Sequence, residues 1–290
     1  MSGLQDVKAF YFDVFGTCVD WRRSVTDCLW NMARESLNSA SMSLSTRIRI
    51  IATDMTYKQW GRWGELAQEW RNSYLAFTRS IAADPNFPYK TVDEHHLDSL
   101  REILLSRGLY FARPDGADPA LVHDGSLWDE AKILKISQIW HYLEPWPDTN
   151  EELAELNKNF ETCTLSNGNV RLLEDMCAYG KMPFCNIFSA EMFQSYKPNP
   201  KVYLGAGEKL NLKPEECMTV AAHLDDLKYA KQAGLRTLYV ERAREERHPE
   251  LRGEDIPDIW VKEDENGFVT AAGKLVTAIR NDGQVRVLAD

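Results

Sequence analysis

The chain has no CxxC pair: Cys18, Cys28, Cys163, Cys177, Cys185 and Cys217 stand apart, without metal-ligand spacing. That argues against a zinc or iron–sulfur site, and several of the six lie inside apolar segments, where a thiol serves as core filler. No secretory signal opens the chain, and no apolar run reaches the length of a membrane span. The expectation is a cytoplasmic protein with reduced thiols. Nor is there a basic stripe. The 34 Lys and Arg are scattered among 44 Asp and Glu, for a net charge of −10, so nothing concentrates the positive potential that a nucleic-acid or anionic membrane surface requires. A small-molecule partner is expected instead. At 290 residues the chain suffices for one large domain or two moderate ones, and no internal repeat is visible.

What is present is a pattern that changes twice. Lys8 to Asp20, KAFYFDVFGTCVD, is an apolar and aromatic run carrying one acid, Asp13, before Gly16 and Thr17. A short apolar run closed by Gly reads as a buried parallel strand, and ligands bind beyond the carboxyl ends of such strands. Asp13 either faces a substrate or caps the following turn. From Asp20 to about His141 the spacing turns helical: Val25 to Leu37, a Ser-rich loop from Ser36 to Ser45, then Ile48 to Ile81, rich in Trp60, Trp63, Trp70, Tyr74 and Phe77. Aromatics at helical intervals mean packing in the first instance, and here also a possible roof for an apolar pocket. Thr91 with Glu94 forms a capping box for a helix to about Arg107. Arg113 to Gly125 reads as a loop and Leu127 to His141 as a helix. His95-His96, without partners at ligand spacing, reads as a solvated helix start.

Pro145-Trp146-Pro147 forbids helix, and alternation begins. Thr149 and Glu152 read as a second capping box, with helix from Glu151 to Asn159. Strands come at Phe160 to Leu165, Asn186 to Ser189, Met218 to Ala222, Leu235 to Val240 and, as an edge, Ile259 to Val261. Helices fall between them, up to Tyr179, over Pro200 to Leu210 and over Leu227 to Ala233, which Gly234 closes. Glu241 to Asp258 is a charged loop, and Val269 to Arg280 a last helix. Such alternation means a doubly wound, mainly parallel α/β sheet covered on both faces. Residues 1–20 and 145–290 form this core, and residues 21–144 an inserted α-helical cap.

The later strand ends add candidates to Asp13. Ser166-Asn167-Gly168-Asn169, opening a helix, offers hydroxyl, amide and N–H groups to an anion, or is simply an N-cap with a turn glycine. Lys197 precedes Pro198 and is held extended; its cation either pairs with Asp13, keeping it ionised as a nucleophile must be, or is solvated. His223, Asp225 and Asp226 lie just past the strand ending at Ala222.

These residues together resemble the haloacid dehalogenase superfamily and, within it, the L-2-haloacid dehalogenases. FDVFGT (Phe12 to Thr17), LSNGN (Leu165 to Asn169), YKPNPKVY (Tyr196 to Tyr203) and VAAHLDDL (Val220 to Leu227) are similar to its four motifs in order, and EWRNSYLAFTR (Glu69 to Arg79) to its halide-binding segment. The resemblance implies a Rossmann-like core with a cap, no cofactor, and frequent homodimers. It implies that Asp13 displaces halide from the α-carbon of a short 2-haloalkanoic acid, leaving an ester that water hydrolyses to the 2-hydroxy acid. Ser166 would hold the substrate carboxylate, and Arg71, with Asn167, would meet the halide. Asp226 would activate water, and Thr17, Lys197 and Tyr203 would hold Asp13 and the substrate. Without the resemblance, Arg71 reads as a surface ion-pair residue.

Two departures bear on the chemistry. Phe15 stands where phosphatases of this superfamily carry an acid for the leaving alcohol, which suits a leaving group that needs no proton. Ala221 and His223 replace the hydroxyl and amide side chains expected before the water-activating acid, so His223 either orients water and takes its proton or ties down its loop. The rivals are a Mg²⁺-dependent phosphatase using Asp13, Asp225 and Asp226 as oxygen ligands, a hydrolase of another 2-substituted acid such as azetidine-2-carboxylate, and a binding protein that has lost catalysis.

Overall fold

The computed structural model describes residues 4–58, 60–84, 88–111 and 125–263. The loop expected over 113–125, apart from Gly125, and the helix expected over 269–280 lie outside them. In chain order the elements are β1 (Ala9–Phe12), α1 (Trp21–Asn38), α2 (Thr46–Thr53), α3 (Trp60–Ala83), α4 (Val92–Ser106), α5 (Glu130–Ser137) and α6 (Thr149–Leu156). They continue with β2 (Glu161–Ser166), α7 (Val170–Gly180), β3 (Asn186–Ser189), α8 (Pro200–Lys209), β4 (Cys217–Ala221), α9 (Leu224–Gln232), β5 (Arg236–Val240) and β6 (Ile259–Val261).

Among the described residues six strands form one parallel sheet, in the order β3-β2-β1-β4-β5-β6. Strand β1 is buried along its whole length, as a strand covered on both faces must be. Phe10 packs edge-on against Phe160 at 5.0 Å, Phe12 against Phe184 at 5.6 Å, and the Tyr11 hydroxyl donates to the Ala206 carbonyl. Because β1 is flanked by β2 and β4, the chain reverses its winding direction there. The crevice of a doubly wound sheet opens at such a switch point. Phe12 pairs with Thr164 and Val220, and the Asp13 N–H donates to Val220 O at 2.9 Å, so Asp13 is the first residue beyond the strand.

Two compact units are present: Met1–Asp20, Thr78–Tyr89 and Glu144–Asp290, which holds the sheet, and Trp21–Phe77 with Lys90–Leu143, which is helical. Thr78–Tyr89, which includes the last turns of α3, groups with the sheet for visible reasons. Asn199 Nδ2 donates to Ala82 O, Tyr89 stacks on Tyr196 at 5.5 Å, and Arg79 pairs with Asp225.

In the helical unit the Thr91–Glu94 capping box forms as the sequence predicts. Trp63, Trp70 and Tyr74 are buried core residues, with Trp70 edge-on to Trp140 at 5.4 Å and Trp63 tilted on Trp128 at 5.7 Å. His95-His96 is not a solvated helix start. The buried face of α4 is Val92, His96, Ser99, Leu100, Ile103 and Leu104, the stripe that helical spacing brings together. His96 therefore lies inside, stacked on Trp140 at 4.5 Å, and His95 stacks on Phe77 at 4.2 Å. Burial lowers the His96 ring well below its ordinary range and the His95 ring to about 4.

Helix α5 starts at Glu130 rather than Leu127 because Asp129 caps it, accepting from Lys132 N at 2.8 Å. The second expected capping box does not form. The Thr149 hydroxyl donates instead to Cys18 O at 2.8 Å, and Asp148, at the cap position, is held by Arg242. The side chains that would close this helix end tie it to the turn after β1. The six cysteines are free thiols. Among the described residues no helix is long and apolar enough to cross a membrane.

Candidate active site

The loops at the carboxyl ends of β1, β2, β3 and β4, with the first turns of α8 and α9, bring Asp13, Thr17, Asn167, Lys197, Tyr203, His223 and Asp226 into one hydrogen-bonded cluster. Lys197 Nζ donates to Asp13 Oδ1 at 3.0 Å and to Asp226 Oδ2 at 2.6 Å, so one ammonium bridges two carboxylates. Asp13 Oδ2 accepts from the Thr17 hydroxyl at 3.0 Å and faces His223 Nδ1 at 3.1 Å. Thr17 is itself oriented, since its oxygen accepts from Ala222 N. Tyr203 donates its hydroxyl to Asp226 Oδ1 at 2.5 Å.

Asn167 does not aim its amide outward at an anion. Its Oδ1 accepts from the Lys197 N–H at 2.7 Å and its Nδ2 donates to the Lys197 carbonyl at 3.2 Å, clamping the backbone that carries the cation. The Lys197-Pro198 bond is cis. Ser166 is fully buried at the end of β2 and accepts from Gly168 N. The next N–H expected for an anion, that of Val170, is taken by the Glu191 carboxylate at 2.7 Å, so part of this helix end is satisfied within the chain. Phe15 is buried, its ring edge lying 3.2 Å from where a Cβ on Gly168 would stand.

The electrostatics arise from this packing. Burial alone would raise the Asp13 carboxyl, but the Lys197 ammonium and the His223 ring outweigh it and hold the group well below the usual carboxylate range. Burial likewise opposes the Lys197 charge, and Asp13 with Asp226 raises it above its ordinary value. Asp226 moves the other way: burial, reinforced by the Asp13 charge, raises it against the pull of Lys197. One carboxylate is thus kept ionised and its neighbour made more basic. Burial and Arg247 would lower His223, yet Asp13 and Glu245 raise it to about 9.

A raised histidine makes a signed prediction. Its contribution to stability is fully present below the unfolded value of about 6.5 and is lost as pH rises towards 9. The free energy of unfolding should fall between pH 6.5 and 9.5 by a component of roughly 3 kcal/mol that His223→Gln lacks. Parallel pH profiles for the two proteins would remove the ion pairs from the account.

Of the three expected magnesium ligands, Asp13 and Asp226 come together and Asp225 is turned away. Asp225 pairs with Arg79 at 2.8 Å and Arg247 at 3.5 Å, and Asp13 and Asp226 share the Lys197 ammonium. No group of three or more His, Cys, Asp or Glu among the described residues is arranged to hold a metal ion. As arranged here, the carboxylates are occupied by Lys197, Arg79 and Arg247 rather than converging on one point. Arg71, in the helical unit, is no surface residue: it is buried, its guanidinium 4.6 Å from the Tyr74 ring centre and 5.6 Å from that of Trp21.

Sequence reasoning passed over Glu245, a buried acid whose Oε2 lies 3.4 Å from His223 Nε2. It sits in the charged loop after β5, among Arg and Glu residues that look alike in one dimension. It also passed over Arg242, which donates to Thr17 O and pairs with Asp148.

With this geometry in view, known proteins are informative. The haloacid dehalogenase-like hydrolase family matches residues 7–234. The chain belongs to that family. Over 150 residues the chain is 31% identical to a glyceraldehyde 3-phosphate phosphatase of Methanopyrus kandleri, covering 50% of the chain and 63% of the relative. Over 111 residues it is 29% identical to an (S)-2-haloacid dehalogenase of a Pseudomonas species, covering 37% of the chain and 49% of that protein. The matches thus span about half to less than two thirds of these relatives' length. The structural likeness is broader. A crystal structure of a defluorinating L-2-haloacid dehalogenase superposes with a TM-score of 0.70 at 26% identity, covering 95% of this chain and 99% of its counterpart.

Proposed function

We propose that this hydrolase converts short 2-haloalkanoic acids to 2-hydroxy acids through an ester on Asp13. What carries the reading is the Lys197 ammonium lying between Asp13 Oδ1 and Asp226 Oδ2: it keeps the nucleophile ionised in a buried site without a second, exchangeable cation. The donors on Asp13 also tell its two oxygens apart. Oδ2 accepts from Thr17 and His223, whereas Oδ1 accepts from Lys197 and keeps a lone pair for attack. Oδ1 displaces the halide from the α-carbon, and the C–X bond breaks with its electron pair leaving on the halide. Phe15, beside the nucleophile, has no proton to give, and a halide needs none.

Water then adds to the Asp13 carbonyl carbon, and Asp226, made more basic by burial and by Asp13, takes its proton. The Cγ–Oδ1 bond breaks, Oδ1 leaves as the product hydroxyl with a proton, and the net reaction releases one proton and one halide. Ser166 is assigned to the substrate carboxylate, and Tyr203 to holding Asp226. The seat of Arg71 against the faces of Tyr74 and Trp21 suits a large, weakly hydrated anion, which supports the halide role its motif implies. The structural likeness to a defluorinating dehalogenase supports the same substrate class.

A phosphatase is the second reading, favoured by the Methanopyrus relative. Screening 2-chloro-, 2-bromo- and 2-fluoroacids and phosphorylated acids, with Mg²⁺ or with EDTA, separates the two. Halide and hydroxy acid should appear at equal rates in EDTA. Phosphate release alone, and only with Mg²⁺, would overturn the dehalogenase reading.

A further inference from the structure

The buried charge beyond His223 has no part in the reaction so far. His223 Nδ1 faces Asp13 Oδ2 at 3.1 Å and Nε2 faces Glu245 Oε2 at 3.4 Å, with both carboxylates and the ring buried. Carboxylate oxygens only accept, so a ring bonded to one at each nitrogen carries both protons. The seat of Glu245 is built. Gly16 has a φ of +88°, and a Cβ there would stand 2.1 Å from Glu245 Oε2, so the glycine of the nucleophile turn leaves the space the carboxylate fills. The loop is anchored from both sides: Arg242 donates to Thr17 O at 3.1 Å, and Glu246 accepts from Leu224 N at 2.9 Å. Consecutive glutamates therefore serve the consecutive residues His223 and Leu224.

We propose that Glu245 is a positioning residue for ester hydrolysis, holding His223 doubly protonated with Nδ1–H on Asp13 Oδ2 so that the imidazolium and the Thr17 hydroxyl receive the negative charge formed when water adds. This rests on the dehalogenase reading above. In the free enzyme Asp13 itself helps to keep the ring charged. Once Oδ1 is esterified, Oδ2 becomes a neutral carbonyl oxygen and that support is gone, at the moment the donors are needed. Glu245 remains the carboxylate bonded to the ring. Water addition moves the electron pair of the carbonyl onto Oδ2, between Thr17 and His223. Collapse returns it as the Cγ–Oδ1 bond breaks, and the ring keeps both protons throughout. Preorganised donors of this kind act where charge develops. The charged groups facing His223 are Asp13, Glu245, Arg247 and Asp225; of the two anions that take no part in the chemistry, Glu245 is bonded to the ring, whereas Asp225 is paired with Arg79 and Arg247.

The test is a rapid-quench single turnover of the full chain with 2-chloropropionate, comparing wild type, Glu245→Gln and Glu245→Asp. In the Gln variant ester formation should change by less than about threefold, while ester hydrolysis slows by about 10²-fold, the scale of losing an oxyanion donor, and the ester accumulates. The Asp variant should recover part of the loss. Independently of any turnover, the ¹⁵N-detected titration of His223 should move down by at least about one pH unit in the Gln variant. Equal slowing of both steps, or an unmoved titration, overturns the proposal. If wild type releases no halide from any 2-haloacid, the dehalogenase reading fails, and with it the ester role; the titration then decides whether Glu245 governs the ring at all.

Discussion

On the proposed ester mechanism, Asp13→Asn should abolish turnover, with a loss of at least about 10⁴-fold, because a neutral amide cannot displace a leaving group from carbon. The protein should still fold, since the amide oxygen accepts from Lys197 or Thr17 nearly as the carboxylate does. Stopped-flow halide release measures the loss. In wild type, single turnover in H₂¹⁸O should place the label in Asp13 and leave the first product unlabelled, because the product hydroxyl is the old Oδ1. Label entering the first product directly would mean that water attacks the substrate itself, and the ester mechanism would fall.

Lys197→Met should have the second largest effect. It removes the ammonium between Asp13 and Asp226, leaving two buried carboxylates side by side. Breaking a buried ion pair by deleting one partner costs about 3–5 kcal/mol, and activity should fall at least about 10²-fold because the nucleophile is no longer held ionised. The pH dependence carries a sign. In wild type the folded Asp13 carboxyl lies below its unfolded value, so its contribution is present above about pH 4 and is lost only as acid is added. In the variant one carboxyl of the pair takes up a proton more readily folded than unfolded, so the stability deficit should shrink as pH falls through 6 to 5. Urea midpoints at three pH values check this; a deficit independent of pH would mean that packing of the lysine stem, not its charge, is what was lost.

Much of the core was readable in one dimension. The strand at Asn186 to Ser189 and the edge at Ile259 to Val261 fall where alternation put them, because apolar runs bounded by turn residues have few other uses in a sheet covered on both faces. Helix starts were less secure. Thr91 and Glu94 close a capping box, whereas Thr149 and Glu152, the same letters at the same spacing, do not, since Cys18 O, distant in sequence, competes for the Thr149 hydroxyl. His96 was misread for a related reason: a polar letter in an apolar stripe looks like surface until Trp140 is stacked on it.

The nucleophile turn shows where the division lies. The letters FDVFGT, LSNGN, YKPNPKVY and VAAHLDDL by themselves determined the α/β class, the family and the identity of Asp13, Lys197, His223 and Asp226 as the groups to watch, because strand ends and motif order are local properties of the chain. Only the tertiary structure decided what each group does to the others. It set Lys197 between two carboxylates, spent the Asn167 amide on the Lys197 backbone, drew Asp225 away to Arg79 and Arg247, and brought Glu245 from a featureless charged loop to His223. The physical reason is that charge state depends on distance and burial, and these are fixed by groups up to 210 residues apart in the chain.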